Sequence, residues 1–311
     1  MAYPIAANII TGFLGSGKTT LIRHVLTHGL GKERVAVIVN EMADLGVDGQ
    51  VLRGINVDKM VELSSGCICC SGFLQLGVAV QEIIDTVEPA VILIETSGVA
   101  EAAPLVGELR GIGLRTDSVI TLVDAENFLQ TSRESEVARE QVENADFLVL
   151  NKTDLAGAGR LDEAEKHLRR LNSRALIFRT QFGALETDLL FASSARRYRE
   201  LAGPARQPNH AHSAENGFES FVCREPGSLD RRQFERFLKK LPKETYRSKG
   251  IVHFEEETQP SLFNYVCGRY NFDWIALDVP DPFVNQAVFI GRDIERHKEK
   301  ILESLRICRR P

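Results

Sequence analysis

Two short stretches of this chain combine residue types and spacings that suit chemistry. The first, "GFLGSGKT" from Gly12 to Thr19, fits the pattern G-x-x-x-x-G-K-[ST]. Glycines at Gly12, Gly15 and Gly17 let the backbone curl so that successive N–H groups face phosphate oxygens, and a helix opening there adds positive potential. In that arrangement Ser16, Lys18, Thr19 and Thr20 complete a nucleotide-binding set, Lys18 reaching the β- and γ-phosphates and Thr19 ligating Mg²⁺. Lys18 is expected to be an exposed loop side chain that contributes little to the core. The second stretch, "ELSSGCICCSG", places Cys67, Cys69 and Cys70 within four positions, in a chain with 6 cysteines among 311 residues. At that frequency a C-x-C-C string arises by chance about 0.002 times per chain, so chance is a poor explanation. In an extended loop Cys67 and Cys69 point the same way, and a turn at Cys69–Cys70 folds the third sulfur toward them. Three thiolates suit a soft or borderline ion such as Zn²⁺, with Co²⁺ or Fe²⁺ equally compatible, and zinc prefers four ligands. No fourth cysteine is near, so Glu41, Asp44, water or a partner protein must complete the shell, and an open site suits transfer. Two other readings stay open: a Cys67/Cys70 redox pair, and three small buried hydrophobes.

Further candidates lie at the ends of apolar runs. "VILIETSG" puts Glu95 at the tip of a strand, where a carboxylate can support the magnesium shell, and Gly98 where a loop must yield to a γ-phosphate. Lys18 and Glu95 are therefore the catalytic candidates; the residue that orients the attacking water is not legible. "LVLNKTD" places Asn151, Lys152 and Asp154 at another strand tip. An aspartate there accepts from both N1–H and the exocyclic amine of guanine, a pair that adenine lacks, so GTP is the expected nucleotide and a P-loop kinase is disfavoured. "VNEMADLGVDG" offers Asn40, Glu41, Asp44 and Asp48 on a loop at the same sheet edge. His210 and His212, in "NHAHS", form an H-x-H pair that is either solvated or a weak metal site.

These residues need a scaffold that brings strand tips together. From Ile5 to about Arg179, β-branched runs alternate with stretches of helical period: "IAANII", "RVAVIVN", "KMVEL", "AVILIE", "SVITLVD", "DFLVLN" and "ALIFR" read as strands, with helices starting at Lys18, Phe73, Ala100, Glu134 and Leu161. Nearly all-apolar strands suit a sheet buried on both faces. The expected fold is α/β, a P-loop NTPase with a mostly parallel sheet and helices on both faces, followed by a smaller α+β C-terminal domain. Expected boundaries are 1–195 for the nucleotide domain, 196–216 for a polar linker rich in Pro, Gly and Asn, and 217–311 for the second domain. In the latter, a strand at Phe218–Cys223 precedes a helix from Asp230 to Leu241. Strands follow at "GIVHF", "LFNYVC", "DWIALD" and "QAVFIG", and a last helix starts with Asp293 as N-cap.

Composition narrows the setting. With 43% hydrophobic and 26% charged residues, a net charge of −5 and a pI near 5.9, the chain has the make-up of a soluble globular protein without a nucleic-acid surface. Its start lacks the positive region and cleavage site of a signal peptide, and no segment approaches the ~20 apolar residues of a membrane span. A cytoplasmic location follows as the expectation, and there clustered thiols stay reduced.

The order of motifs resembles the CobW family of P-loop GTPases, a branch of the group that includes the urease and hydrogenase nickel-insertion GTPases. The matching pieces are "TGFLGSGKTTL", "VIVNEMADLGVDG", "ELSSGCICCS", "LIETSGVAEAAPL", "ITLVDAENF" and "LVLNKTDL", with "TYRSKGIVHF" and "AVFIGRDI" in the second domain. The loop after Asn40 reads Glu41-Met42-Ala43-Asp44 where the family more often shows Glu-Phe-Gly-Glu, and the family's long histidine tract is cut to "NHAHS". The resemblance implies a GTP-hydrolysing metallochaperone that uses Mg²⁺, binds a transition metal at Cys67, Cys69, Cys70 and Glu41, and hands it to a client metalloenzyme docked near the inter-domain surface. A homodimer is compatible with the way nickel-insertion relatives pair. The alternative is a regulatory GTPase whose cysteines sense metal or redox state and gate partner binding.

Overall fold

A computed structural model describes residues 5–28, 34–41, 59–64, 73–100, 102–185, 190–191, 218–275 and 283–309; for 40–41, 59–64 and 73–75 the description extends to the backbone alone. Two units divide between Ser194 and Ala195. The expected linker, 196–216, lies outside the described residues, as do Asp44, Asp48, Cys67, Cys69, Cys70, His210 and His212 and the side chains of Asn40 and Glu41.

In the first unit, all seven apolar runs form strands: β1 (Ile5–Gly12), β2 (Val35–Glu41), β3 (Lys59–Ser64), β4 (Val91–Glu95), β5 (Leu114–Asp124), β6 (Phe147–Asn151) and β7 (Leu176–Arg179). They build one sheet in the order β3-β2-β4-β1-β5-β6-β7, with every pairing parallel. β4 and β6 are buried at every position, as expected for strands covered on both faces. The helices are α1 (Lys18–His28), α2 (Phe73–Val87), α3 (Ala102–Gly111), α4 (Phe128–Glu134), α5 (Glu136–Glu143) and α6 (Ala158–Leu171). One core joins Ile9, Ile38 and Ile94 of the sheet to Leu76, Val80 and Leu105 of α2 and α3; another joins Leu148 and Leu150 to Val142, Ala164 and Leu168 of α5 and α6. From β1 the chain runs out through β2 to β3 at one edge, returns to β4 beside β1, and then steps through β5 to β7 on the other side. The reversal leaves a crevice at the carboxyl end of β1, the place where ligands bind in open α/β sheets.

Three helix starts differ from expectation. The third helix begins at Ala102, two residues late. The fifth begins at Ala158, three residues early. The helix expected from Glu134 begins at Glu136, capped by Ser135, whose backbone is extended and whose side chain accepts from the Ala138 N–H at 3.2 Å; Phe128–Glu134 before it is a further helix that was not expected.

The second unit is an antiparallel sheet of five strands in the order β11-β10-β9-β12-β8. Its strands are β8 (Phe218–Pro226), β9 (Thr245–Val252), β10 (Ser261–Val266), β11 (Arg269–Trp274) and β12 (Val284–Arg292). α7 (Arg231–Lys239) and α8 (Lys298–Arg306) cover one face through Phe234, Phe237, Leu238, Ile301 and Leu305, which pack on Phe221, Phe263 and Phe289. Asp230 caps α7, accepting from Gln233 N–H at 2.8 Å. Two expectations are corrected here. The strand read at "DWIALD" is β11, which ends at Trp274 and is hairpinned to β10 through Cys267 and Gly268, both at positive φ, 46° and 90°. Asp293 does not cap an α-helix. Its backbone is left-handed (φ 50°), its side chain makes no capping bond, and it precedes a 3₁₀ turn, Ile294–His297, before α8.

Candidate functional site

The carboxyl tips of β1, β4, β5 and β6 are held level by register: Ile10 faces Glu95, Gly12 faces Leu122, and Asp124 faces Asn151. The phosphate loop leaves β1 at Gly12. Gly12, Gly15 and Gly17 have φ of 137°, 71° and 104°, so their positive torsions are a requirement of the path. The loop is also closely enclosed: a Cβ on Gly12 would lie 2.3 Å from the Leu122 carbonyl, and one on Gly17 would lie 2.4 Å from Asn151 Nδ2. Lys18, expected to be exposed, is buried, and its ammonium donates to the Gly12 carbonyl at 3.1 Å across the curl of the loop. Thr20 follows on the first turn of α1, half-buried.

Thr19 and Glu95, 76 residues apart, come together. The Thr19 hydroxyl donates to the Glu95 carboxylate, 3.2 Å from Oε1 and 3.4 Å from Oε2, and Glu95 is buried. A hydroxyl and a carboxylate are the hard oxygen donors that Mg²⁺ selects. The buried Ser16 hydroxyl has no protein partner among the described residues, which a phosphate oxygen would supply. Residue types and geometry therefore fit a magnesium nucleotide. Beyond Glu95, the turn at Gly98 packs on the phosphate loop so tightly that a Cβ there would meet Leu14 N at 2.8 Å.

The N-K-x-D segment, Asn151 to Asp154, is fastened to the same loop by one side chain. Asn151, buried at the end of β6, donates from Nδ2 to the Ser16 carbonyl at 2.9 Å and accepts at Oδ1 from Gly183 N–H at 3.0 Å. The reversed amide would set N–H against N–H, so its orientation is dictated by its partners. Lys152 takes a left-handed backbone (φ 59°), and its ammonium lies 2.8 Å from Asp124 Oδ2. Asp154 is exposed at the tip, free to accept from a base.

Three contributors escaped sequence reading. Asp124 gathers Glu126 N–H, Asn127 N–H and the Asn127 amide as well as Lys152, and its carboxyl sits below the usual range: burial opposes ionisation, but bonds from Lys152 and Asn127 outweigh it. An aspartate at a strand end with asparagine three positions on is a turn signal that could have flagged it. Gln141 of α5, buried, donates to the carbonyls of Gly98 (3.2 Å) and Ala100 (2.9 Å), holding the loop beyond Glu95. The loop after β7, Thr180–Ala184, receives Thr153 N–H at the Thr180 carbonyl, 3.2 Å away, and presents Phe182 at 72% exposure. No local pattern marks either of these last two.

Among the described residues there is no cluster of three or more metal-ligating side chains, and no helix long and apolar enough to cross a membrane. Cys223, Cys267 and Cys308 are buried and in no disulfide, and burial pushes the Cys223 and Cys308 thiols up to about 12, leaving them poor ligands.

Residues 6–179 match the family described as CobW/HypB/UreG, nucleotide-binding domain, and residues 218–309 match the cobalamin synthesis protein cobW C-terminal domain. The chain belongs to the CobW/HypB/UreG family. Zinc chaperone YjiA of Escherichia coli strain K12 is 32% identical to this CobW-family chain over 289 residues, 87% of this chain and 89% of the relative. Zinc chaperone CobW of a Sinorhizobium species is 32% identical over 265 residues, 72% and 74% of the two chains. The crystal structure of Zn(II)-bound YjiA GTPase from E. coli covers 99% of this chain and 100% of its own, with 24% identity and a TM-score of 0.48. CobW-family membership fits the wholly parallel sheet, the phosphate loop on β1 and the separate antiparallel C-terminal unit.

Proposed function

We propose that the protein is a GTP-hydrolysing metallochaperone that binds a transition metal, zinc first, through Cys67, Cys69, Cys70 and Glu41, and releases it to a client metalloprotein as the nucleotide turns over. One observation carries the coupling. β2 and β3 pair in parallel with Glu41 opposite Ser64, so the segment bearing the cysteines leaves the sheet at the same edge as the phosphate loop and three residues beyond that pair. The names of relatives, zinc chaperones at 32% identity over most of the chain, support zinc as cargo.

Little covalent work is asked of the protein in phosphoryl transfer; positioning and charge stabilisation suffice. Lys18 neutralises charge on the β- and γ-phosphates once its ammonium turns from the Gly12 carbonyl. Thr19 and Glu95 would hold Mg²⁺, which would offset the charge of the phosphates. Asp154 selects guanine, and Asn151 fixes the distance between base and phosphates. The cysteine loop and Glu41 respond to the γ-phosphate. Linkage then requires the metal to favour GTP over GDP by the same factor by which GTP favours the metal, typically ~5 to 150-fold.

Competition of Zn²⁺ against a chromogenic chelator, run in GDP and in a non-hydrolysable GTP analogue, tests the reading. Tighter zinc binding in the analogue is expected, with the difference lost in a Cys69→Ala, Cys70→Ala variant that still binds GTP. Equal affinity in the two nucleotide states would remove the switch and leave an uncoupled metal site.

A further inference from the structure

α7 and α8 do not close over each other completely. Between them, within the second unit, runs an open groove of about 240 Å³ with Phe237 and Ile301 in its walls. Gln233, Arg236 and Phe237 of α7 recur at three- and four-residue spacing on one face, and Lys240 and Leu241, just past its end, continue the wall. Ile307, at the foot of α8, leaves 65% of its surface in solvent beside it.

The rim is basic. Arg236, Lys240 and Lys300 line the groove and no carboxylate does. Elsewhere on this layer Glu235 and Glu257 pair with Arg231, Glu244 with Arg296, Glu295 with Lys298, and Glu225 with Arg306, while Glu299 and Glu303 of α8 do not line the groove. The three rim cations have no such partner among the described residues. Residues 230–244 and 293–309 together carry eleven Lys/Arg against seven Asp/Glu in a chain of net charge −5, so the local sign opposes that of the chain.

We propose that this groove docks an acidic amphipathic helix of a protein partner. A trough between two helices takes a third helix by its apolar stripe at i, i+3, i+4 and i+7, here onto the exposed Ile307, with the buried Phe237 and Ile301 forming the floor. Its flanking carboxylates meet Arg236 and Lys240 on one side and Lys300 on the other. The wall from Gln233 to Leu241 matches about two to three turns of a guest helix. The surface is built from residues of the second unit alone and is independent of the metallochaperone reading.

The test uses the full chain and a fluorescein-labelled, helix-stabilised peptide of about twelve residues, with leucine on the stripe and glutamate on both flanks, beside the same peptide with lysine for glutamate. Binding is read by anisotropy and located by amide hydrogen exchange. The glutamate peptide should protect α7 and α8 and weaken as salt rises. A Lys240→Glu, Lys300→Glu variant should lose about tenfold or more for the glutamate peptide and gain for the lysine peptide, a reversal that misfolding cannot produce. Ile307→Asp should weaken both, with GTP hydrolysis unchanged in all variants. The proposal is overturned by equal binding of the two peptides, by no binding, or by affinity indifferent to the double variant. It is equally overturned if these substitutions abolish capture by phosphatidylserine vesicles or self-association while leaving the glutamate peptide bound.

Discussion

Replacing Asn151 with alanine would strip two buried backbone groups, the Ser16 carbonyl and the Gly183 N–H, of one amide partner at a stroke. Each such loss costs ~1 to 3 kcal/mol. Asn151→Ala should therefore lower stability by about 2 to 6 kcal/mol in urea unfolding and weaken GTP binding, since it frees the phosphate loop from the N-K-x-D loop. Asp154 is exposed and carries no such structural duty, so Asp154→Asn should leave the urea midpoint unmoved and shift preference from guanine toward xanthine nucleotides in a competition assay. With the wild type, GTP should outcompete ATP by at least about tenfold, because two charge-assisted bonds at ~1.5 to 3 kcal/mol each are lost with adenine. Lys18→Ala should abolish hydrolysis while circular dichroism stays native, although the buried stem makes a loss of about 1 kcal/mol expected. Asp124 gives the pH dependence. Its folded-state carboxyl titrates below the ordinary 3.8, so the stability it contributes is present above that value and is lost as pH falls through the lower folded value. Asp124→Asn should flatten this acid limb in urea midpoints followed from neutral pH downward.

Gly12 sits where β1, β5 and the phosphate loop meet, and the clash its Cβ would make with the Leu122 backbone has no flexible side chain to give way. Gly12→Ala should destabilise by about 3 kcal/mol or more, from overpacking together with a φ that side chains rarely adopt. Gly15, with nothing within contact of its Cβ, should tolerate alanine at the cost of its torsion alone, and comparing the two urea midpoints separates the terms. The same close packing explains what sequence could show. "VILIE" and "FLVLN" are strands by composition, since buried parallel strands need apolar β-formers at every position, and the phosphate loop is visible because its glycines are needed for its own path. Cys267-Gly268 at the β10–β11 turn was not legible, because the usual asparagine or aspartate is absent and only the pairing of Val266 with Arg269 reveals it. Asn151 could be read as part of N-K-x-D. Its grip on Ser16 and Gly183, 135 and 32 positions away, is a product of strand order that no local pattern encodes.

At the scale of the whole molecule, each unit carries its own apolar cores: the clusters around Ile9 and Leu148 belong to residues before 195, and the one around Phe234 and Phe263 is built from residues 221–308. A fragment spanning 217–311 should then unfold cooperatively on its own, as a single transition in far-ultraviolet circular dichroism; a gradual, non-cooperative melt would show that its sheet depends on the rest of the chain. Separate cores also mean that heat need not melt the chain in one step. A ligand that binds only the folded first unit raises that unit's stability by mass action, about 2.7 kcal/mol at a hundred times its dissociation constant, and adds nothing to the second. Calorimetry in rising GDP should move one endotherm upward and leave the other in place, so the second unit becomes an internal temperature reference against which nucleotide, magnesium and zinc can each be ranked in a single scan.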